Sequence, residues 1–540
     1  MIRQNLRWVA AMLLAANLAV VAPGPTFANG NGKGKGNEIP ETGSPIKHVV
    51  VIFQENVSFD HYFATYPDAE NNDQEVKFKA KANTPTVNGL IQGQIEHNLN
   101  SDKTGVNFFS PVRLGPSQNY TCDQNHDYTP EQQAFDSGLM DKFPAFAATP
   151  CSAATFPNVS NLGAGIVMGY YDGNTVTGLW NYAQNFVLND NSYDTNFGPS
   201  TPGAINVVSG MTGNVDLSVS GTAVAAGDVV GNAVIGDPDP AFDDCSGGER
   251  AGLKSANQNI GTLLSGRGIS WAWFQGGFTP SQAFVPATAG AAASPAQCHT
   301  TTNRLDGTPE TAYSAHHNPF QYYAMTANPH HLPPANLAEV GHDGVANHQY
   351  DLSYFQTSAK QFGLPAVTYL KANRANDGHP SNSSPLDEQF FIINTINFLQ
   401  TLPDWDSTAV IIAWDDSDGW YDHQMSPIVN PSASTADALT GTGLCGTGVN
   451  ALQAIQARCG YGPRMPFLIV SPFAKKNFVD HTTTDQSSVV RFIEDNFQLT
   501  PIGNGSFDVI AGPLTNAFDF KNRRSEKVIL DPFTGQVVDK

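Results

Sequence analysis

Four uninterrupted apolar runs constrain the fold of this chain more than any other feature: Lys47 to Phe53 (KHVVVIF), Ile269 to Phe274 (ISWAWF), Ala409 to Trp414 (AVIIAW) and Pro466 to Ser471 (PFLIVS). A strand with one wet face alternates apolar and polar residues. A strand buried on both faces does not, and parallel sheets covered by helices meet that condition. Helix-like stretches, Pro385 to Leu402 and Ser487 to Phe497, alternate with the runs as βαβ units require. The pattern predicts an α/β protein with a mostly parallel central sheet flanked by helices. Ala69 to Asn119 and Ala204 to Ser246 are rich in Gly, Asn, Thr and Pro and are expected to be insertions walling a site. Within the second, Gly210 to Ile235 has the Val/Gly/Ala/Thr composition of a small hairpin.

The amino terminus carries a different signal. Arg3 and Arg7 precede an apolar run from Trp8 to Ala22, then Pro23, Pro25 and a small-residue site ending at Ala28, the layout of a secretory signal peptide over residues 1–28. The run is short of the ~20 residues of a spanning helix, and no later stretch reaches that length. The mature chain is therefore expected to be secreted or periplasmic, with no stable membrane anchor. Residues 29–40 open with NGNGKGKGN, too polar and glycine-rich to pack, and are expected to be a flexible linker. Residues 41–540 are expected to form one domain with long insertions.

Acidic residues number 49 against 28 basic ones, a formal net charge of −21. Such a surface repels phosphate backbones, so nucleic acid is excluded as a partner, while cations are attracted. The six cysteines, Cys122, Cys151, Cys245, Cys298, Cys445 and Cys459, are even in number and contain no C-x-x-C spacing. Three disulfides between sequence neighbours are the simplest expectation for an exported chain.

Ligands in open α/β sheets bind beyond the carboxyl ends of the strands. Two of the buried runs end directly in oxygen donors: KHVVVIF leads into Gln54, Glu55 and Asn56, and AVIIAW into Asp415 and Asp416. Glu, Asn and two Asp form a hard, all-oxygen set suited to Ca²⁺, Mg²⁺ or Mn²⁺ and poorly suited to zinc.

Three strings carry a family resemblance: Glu55-Asn56-Val57-Ser58-Phe59-Asp60-His61-Tyr62-Phe63, Trp414-Asp415-Asp416-Ser417-Asp418-Gly419-Trp420-Tyr421-Asp422-His423, and Gly460-Tyr461-Gly462-Pro463-Arg464-Met465-Pro466 followed by Ser471-Pro472. In order, they resemble the bacterial phosphoesterase family of exported phospholipases C and acid phosphatases, within the alkaline-phosphatase-like superfamily. The resemblance implies an alkaline-phosphatase-like core and a covalent mechanism at one divalent metal ion, calcium first, with magnesium or manganese as alternatives. It implies Glu55, Asn56, Asp415, Asp416 and Ser200 as metal ligands. Ser200 also falls at the nucleophile of a Gly-Pro-[Ser/Thr]-x-Pro motif, Gly198-Pro199-Ser200-Thr201-Pro202. A Ser before Pro202 is expected to cap a helix start, where amides and the helix dipole favour phosphate; Thr201 competes for the role.

His126 and His379 match positions expected to contact phosphoryl oxygens or the leaving group. His316, His317, His330, His331 and His348 are expected to be supporting or structural, although His317-Asn318-Pro319-Phe320 resembles a family motif near the site. Asp422 and His423 are expected to orient ligands. The chain departs from the family pattern at Val57, usually Arg, at Gly203, often Asn, and at Gln486, usually His.

The implied substrate is a small phosphate monoester or a phospholipid. The absence of obvious carboxyl-terminal lipid-binding modules favours an acid phosphatase of broad specificity over a phospholipase C. The aromatic strings Trp271-Ala272-Trp273-Phe274 and Phe320-Gln321-Tyr322-Tyr323 are candidates for a lipid entrance but are expected to be packing residues. A non-catalytic secreted binding protein on the same fold would need a lost nucleophile or lost ligands. A sulfatase would need an Arg where Ser200-Thr201-Pro202-Gly203-Ala204 has none.

Overall fold

Glu55 and Asp415 leave the same edge of one sheet, side by side. The computed structural model describes residues 40–219, 227–439, 441–446, 452, 453 and 455–538. The expected signal peptide and all but the last residue of the expected linker lie outside the described residues. The largest element is a nine-stranded sheet. In chain order its strands are β1 (His48–Gln54), β2 (Val187–Tyr193), β3 (Trp271–Gln275), β4 (Gln349–Asp351), β5 (Val367–Lys371), β6 (Thr408–Trp414), β7 (Arg464–Val470), β8 (Phe478–Asp480) and β9 (Thr484–Asp485). Across the sheet they run β4-β3-β5-β1-β6-β7-β2-β8, with β9 beside β2. The first five in that order are mutually parallel. Strand β7 runs antiparallel to both β6 and β2, and β8 and β9 run parallel to β2.

The α/β class with a mostly parallel sheet is thus as the sequence predicts, and each apolar run becomes a strand within a few residues of the expected bounds. β1 and β6 pair over seven positions, His48 with Thr408 through Gln54 with Trp414, and every residue of both is buried. One run shifts and one strand was not expected. The run expected at Pro466 to Ser471 begins at Arg464 and ends at Val470. Because it is antiparallel, Arg464 enters from the edge where the parallel strands end. β2 (VLNDNSY) has no apolar run to announce it, since its second half is polar and bonded to loops.

The principal helices are α1 (Phe59–Phe63), α2 (Tyr128–Phe135), α3 (Thr177–Asn185), α4 (Ser200–Ser209), α5 (Ile260–Gly266), α6 (Pro385–Leu399) and α7 (Ser487–Phe497). In α6, Pro385 occupies the first turn and the Ser384 hydroxyl accepts from the Asp387 amide, a strong start signal. The helix ends at Leu399 rather than at Leu402, because a residue before proline, here Leu402 before Pro403, is driven out of the helical region (φ −77°, ψ 149°). α7 buries Val489, Val490, Ile493 and Phe497, the stripe its spacing predicts, against the same core as the strands. Residues 69–119 are irregular apart from short elements, as expected. The insertion expected from Ala204 starts later: Ala204 through Ser209 complete α4, and among the described residues of the expected hairpin Val229–Val230 pairs antiparallel with Ala233–Val234.

The disulfides are Cys122–Cys151, Cys245–Cys298 and Cys445–Cys459, the neighbour pairing expected. Among the described residues no helix is long and apolar enough to cross a membrane.

Candidate active site

The predicted carboxylates and the predicted serine meet at the carboxyl edge of β1, β5, β6 and β2. After β1 the chain turns at Asn56, whose φ of +47° lies in the left-handed region that Asn tolerates and most residues do not. That turn is pinned from β6: the Asn56 amide donates to Asp415 Oδ1 at 3.1 Å, and the Val57 amide to the Asp416 carbonyl at 2.9 Å. Strand β2 leads through residues 194–199 to α4, whose first residue is Ser200. Its hydroxyl donates to Asp416 Oδ2 at 3.0 Å and lies 3.5 Å from Glu55 Oε2. The serine is not the cap the sequence suggested: Pro199 is the N-cap, and Ser200 opens the first turn with its side chain on the carboxylates. Thr201 Oγ1 faces away, 3.3 Å from the Tyr322 hydroxyl.

Glu55, Asn56 and Asp416 are fully buried and Asp415 nearly so. Glu131, Asp194 and Asp418, also buried, crowd the same volume. Burial drives Asp416 well above the ordinary carboxylate range, with His126 opposing and Asp415 reinforcing the shift. So many acids out of water need cations. The chain supplies Lys371, at the end of β5, which pairs with Glu55 Oε1, and His126. Asn56 Oδ1 is buried with no hydrogen-bond partner, an acceptor left open among oxygen donors. Glu55, Asn56, Ser200 and Asp416 therefore present the chemistry of a hard-cation site. Asp415 Oδ1 is committed to the Asn56 and Asp416 amides, which leaves its other oxygen for a ligand. A second group, Glu55, His317 and Asp377, also brings ligand atoms within 4.8 Å of one another. The Lys371 ammonium on Glu55 and its attraction to Asp377 already provide that group with a cation.

His126 and His379 meet at the mouth with ring centroids 6.5 Å apart. His126 Nδ1 faces the Gln124 carbonyl at 2.8 Å and Asp418 Oδ1 at 3.4 Å, while Nε2 points to Asn56 Nδ2 at 3.5 Å and Asp416 at 4.0 Å. Burial opposes its charge, but Asp416, Asp123 and Asp237 prevail and raise it to about 10. Burial lowers His379, against Asp123. The two rings are thus shifted in opposite directions, His126 toward the charged form and His379 toward the neutral one.

The structure revises other expectations. His317, expected to be supporting or structural in a string near the site, has its Nδ1 3.0 Å from Glu55 Oε1, and burial together with His316, His379 and Arg374 pushes it toward the neutral form. His330 and His331 bond Asp244 and Asp243, and His348 bonds the Trp271 carbonyl, all structural contacts. Asp422 and His423 do not touch the quartet. With Asp60 and Arg464 they clamp the loop after β6 to α1, the Asp60 amide donating to Asp422 Oδ2 and Arg464 bridging both carboxylates at 3.0 Å. Lys371, Asp377 and Glu131 were missed. Glu131 joins the serine loop to the carboxylate loop, accepting from the Gly198 amide at 3.0 Å and from Ser417 Oγ at 2.7 Å, and burial raises it to about 8. No motif flagged Lys371 or Glu131, although a lysine ending an apolar strand was a signal for the first, and Asp377 stands two residues before the predicted His379.

The departures have local reasons. Val57 is a core residue. Gly203 lies against β6: a Cβ there would be 1.9 Å from the Asp415 carbonyl oxygen. Gln486 Nε2 donates to the Asp415 and Trp414 carbonyls at 2.5 and 3.2 Å, and its Oε1 accepts from the Thr195 amide at 2.9 Å. Gln486→Ala is expected to cost roughly 1–3 kcal/mol, because buried partners lose their bonds. It should also lower turnover about tenfold by loosening the Asp415 loop. Chemical denaturation and steady-state kinetics check both, and an unchanged rate would rule out that anchoring role.

Fold and site together define an α/β protein whose serine hydroxyl and buried carboxylates converge at the carboxyl edge of parallel strands. The chain belongs to the phosphoesterase family, whose model matches residues 46–500. It is 23% identical over 507 residues to a non-hemolytic phospholipase C of Burkholderia pseudomallei, covering 88% of this chain and 59% of that one. It is 22% identical over 526 residues to phospholipase C B of Mycobacterium tuberculosis, covering 95% and 84%. Over a shorter stretch of 180 residues it is 29% identical to a non-hemolytic phospholipase C of Pseudomonas aeruginosa, 32% of this chain but 26% of that protein. The chain thus spans only part of some of these relatives. Among solved structures it is similar to a protein in the alkaline phosphatase superfamily from Vibrio parahaemolyticus, at 9% identity over 71% of each chain with a TM-score of 0.26. At that score the α/β class rests on the sheet itself.

Proposed function

We propose that this chain is an exported phosphoric ester hydrolase that works through a phosphoserine at Ser200. The observation that carries the reading is the Ser200 hydroxyl, at the first residue of α4, held on Asp416 Oδ2 and beside Glu55 Oε2. In the first step Ser200 Oγ gives up its proton to solvent and forms a bond to phosphorus, the bond to the alcohol oxygen breaks, and the departing oxygen takes a proton. In the second, water forms the new bond to phosphorus, Oγ departs and recovers a proton, and phosphate leaves. His126, charged, is positioned to donate to the leaving oxygen, and neutral His379 to accept from the attacking water. Glu55, Asn56, Ser200, Asp415 and Asp416 would hold a divalent cation, calcium first by their all-oxygen chemistry, with magnesium or manganese as alternatives. Such a cation lowers the pKa of a bound hydroxyl and offsets charge on phosphoryl oxygens. Asp415→Asn combined with Asp416→Asn is expected to reduce bound metal from about one ion per chain to about a tenth of that or less, read by elemental analysis. Full metal content in that variant would refute the ligand set.

For the substrate, the acid phosphatase reading comes first. The two aromatic strings are fully or almost fully buried, Trp271 packing on Phe320 with tilted rings 4.7 Å apart and Tyr323 bonding Ser209, which supports packing in the core over lining a lipid entrance. The phospholipase C reading is favoured by the names of the relatives. Hydrolysis of p-nitrophenyl phosphate against p-nitrophenylphosphorylcholine, from acid to neutral pH with metal added, separates the two. Turnover of neither would support a binding protein instead.

A further inference from the structure

Asp237 carries a feature that neither the sequence motifs nor the mechanism uses. It stands on an exposed position between buried Gly236 and Pro238, and its Oδ1 accepts from the Thr201 amide at 2.8 Å. That amide is the second in α4, directly after the Ser200 residue. The start of a helix attracts anions through its free N–H groups and its dipole. Here Pro202 has no N–H, and Thr201 already donates to a carboxylate, so the anion-attracting end of α4 is partly filled by a side chain of the protein. The turn carrying Asp237 is fixed from behind: the Tyr322 hydroxyl donates to the Pro238 carbonyl at 2.6 Å, and the Gly236 amide to the Asp228 carbonyl at 3.2 Å.

We infer that Asp237 sets the charge of the ester admitted to the Ser200 site, favouring singly charged phosphates over monoester dianions. The inference rests on the reading of Ser200 as nucleophile. A phosphate approaching Oγ brings its oxygens toward the amides at the start of α4 and therefore toward the Asp237 carboxylate. One negative charge on the ligand is tolerated there, and a second raises the repulsion. Two kinds of substrate share the favoured charge: diesters at any pH, and monoesters below their second ionisation, near pH 6. The rule is one of exclusion by like charge, which specificity commonly uses beside attraction.

The test is Asp237→Asn, which keeps an acceptor for the Thr201 amide while removing the charge, so a residue that merely caps α4 would be replaced without consequence. kcat/KM is measured for p-nitrophenyl phosphate at pH 8, where it is a dianion, and for bis-(p-nitrophenyl) phosphate at the same pH. The ratio of dianion to diester is expected to rise about tenfold, the size of one like-charge contact at partly screened range. An unchanged ratio, or a fall, overturns the inference. A second readout needs no turnover: in a Ser200→Ala background, inorganic phosphate at pH 8 is expected to bind about tenfold more tightly when Asp237 is also Asn, measured by calorimetry. Equal affinity overturns the role of Asp237. Unaltered turnover in Ser200→Ala alone would instead sink the nucleophile assignment and leave the phosphate-binding comparison standing. No phosphate binding to either protein would overturn both.

Discussion

Replacing Ser200 by alanine is expected to cut phosphate release by ~10⁴-fold or more, the scale on which removal of a covalent nucleophile acts, with the fold left standing. The asymmetry follows from what the hydroxyl touches. Its donation to Asp416 is directed at a functional carboxylate rather than at a structural partner, and the Ala204, Ile205, Val207 and Val208 contacts that seat α4 in the core are untouched. Thermal unfolding should move by a few degrees at most. Metal content should remain close to that of the unmodified chain, because four donors are left. Hydrolysis of p-nitrophenyl phosphate, a melting curve and elemental analysis give the three readings together. Retained turnover would remove Ser200 from the mechanism, and a collapsed melting curve would make the lost activity uninformative.

Gly203→Ala is expected to be nearly as damaging for the opposite reason. Inside a helix, alanine ordinarily stabilises relative to glycine by about 1 kcal/mol. At Gly203 the new methyl group would fall 1.9 Å from the Asp415 carbonyl oxygen, 2.6 Å from its carbon and 2.9 Å from its Cα. These are backbone atoms held by Gln486 and by the last pair of the β1–β6 ladder, so they cannot swing aside as a side chain would. Helix α4 must move outward, and Ser200 with it. A displacement of about 1 Å at a reacting atom costs on the order of 10²-fold in rate, and the strain costs a further 1–3 kcal/mol or so in stability. Gly266→Ala, at the end of α5 where a Cβ would meet nothing within 4 Å, is the control and should leave the rate unchanged and the melting temperature unchanged or slightly raised. Wild-type activity in Gly203→Ala would mean that α4 and β6 are less tightly coupled than this contact requires.

Much of the scaffold was legible because burial on both faces leaves a local record. Residues such as Val49 to Phe53 and Ala409 to Ala413 must be apolar whichever way they point, so β1 and β6 stand out without reference to the rest of the chain. The residues that follow those strands, Glu55, Asn56, Asp415 and Asp416, were legible for the same reason, since register carries Gln54 opposite Trp414. β2 was not, because its pairing with β7 and β9 lets a polar sequence lie in a sheet when loops satisfy its side chains. Helix α4 was partly hidden, its Gly and Pro resembling a loop until packing against α7 fixed it.

The sequence by itself determined the α/β class and the strand ends that carry Glu55, Asn56, Asp415 and Asp416, since each is written in contiguous residues, whereas Ser200 rested on a family resemblance and the neighbour pairing of the cysteines was only the simplest of the pairings open to six. Only the tertiary structure decided that Lys371 and His317 share Glu55, that Glu131 and Gln486 brace the loops, that the aromatic strings are core, and that Asp237 meets the first turn of α4. Those contacts join residues far apart in the chain, many of them by more than a hundred positions. Their energies depend on burial and on which charges are brought together, quantities that no local pattern of residues records.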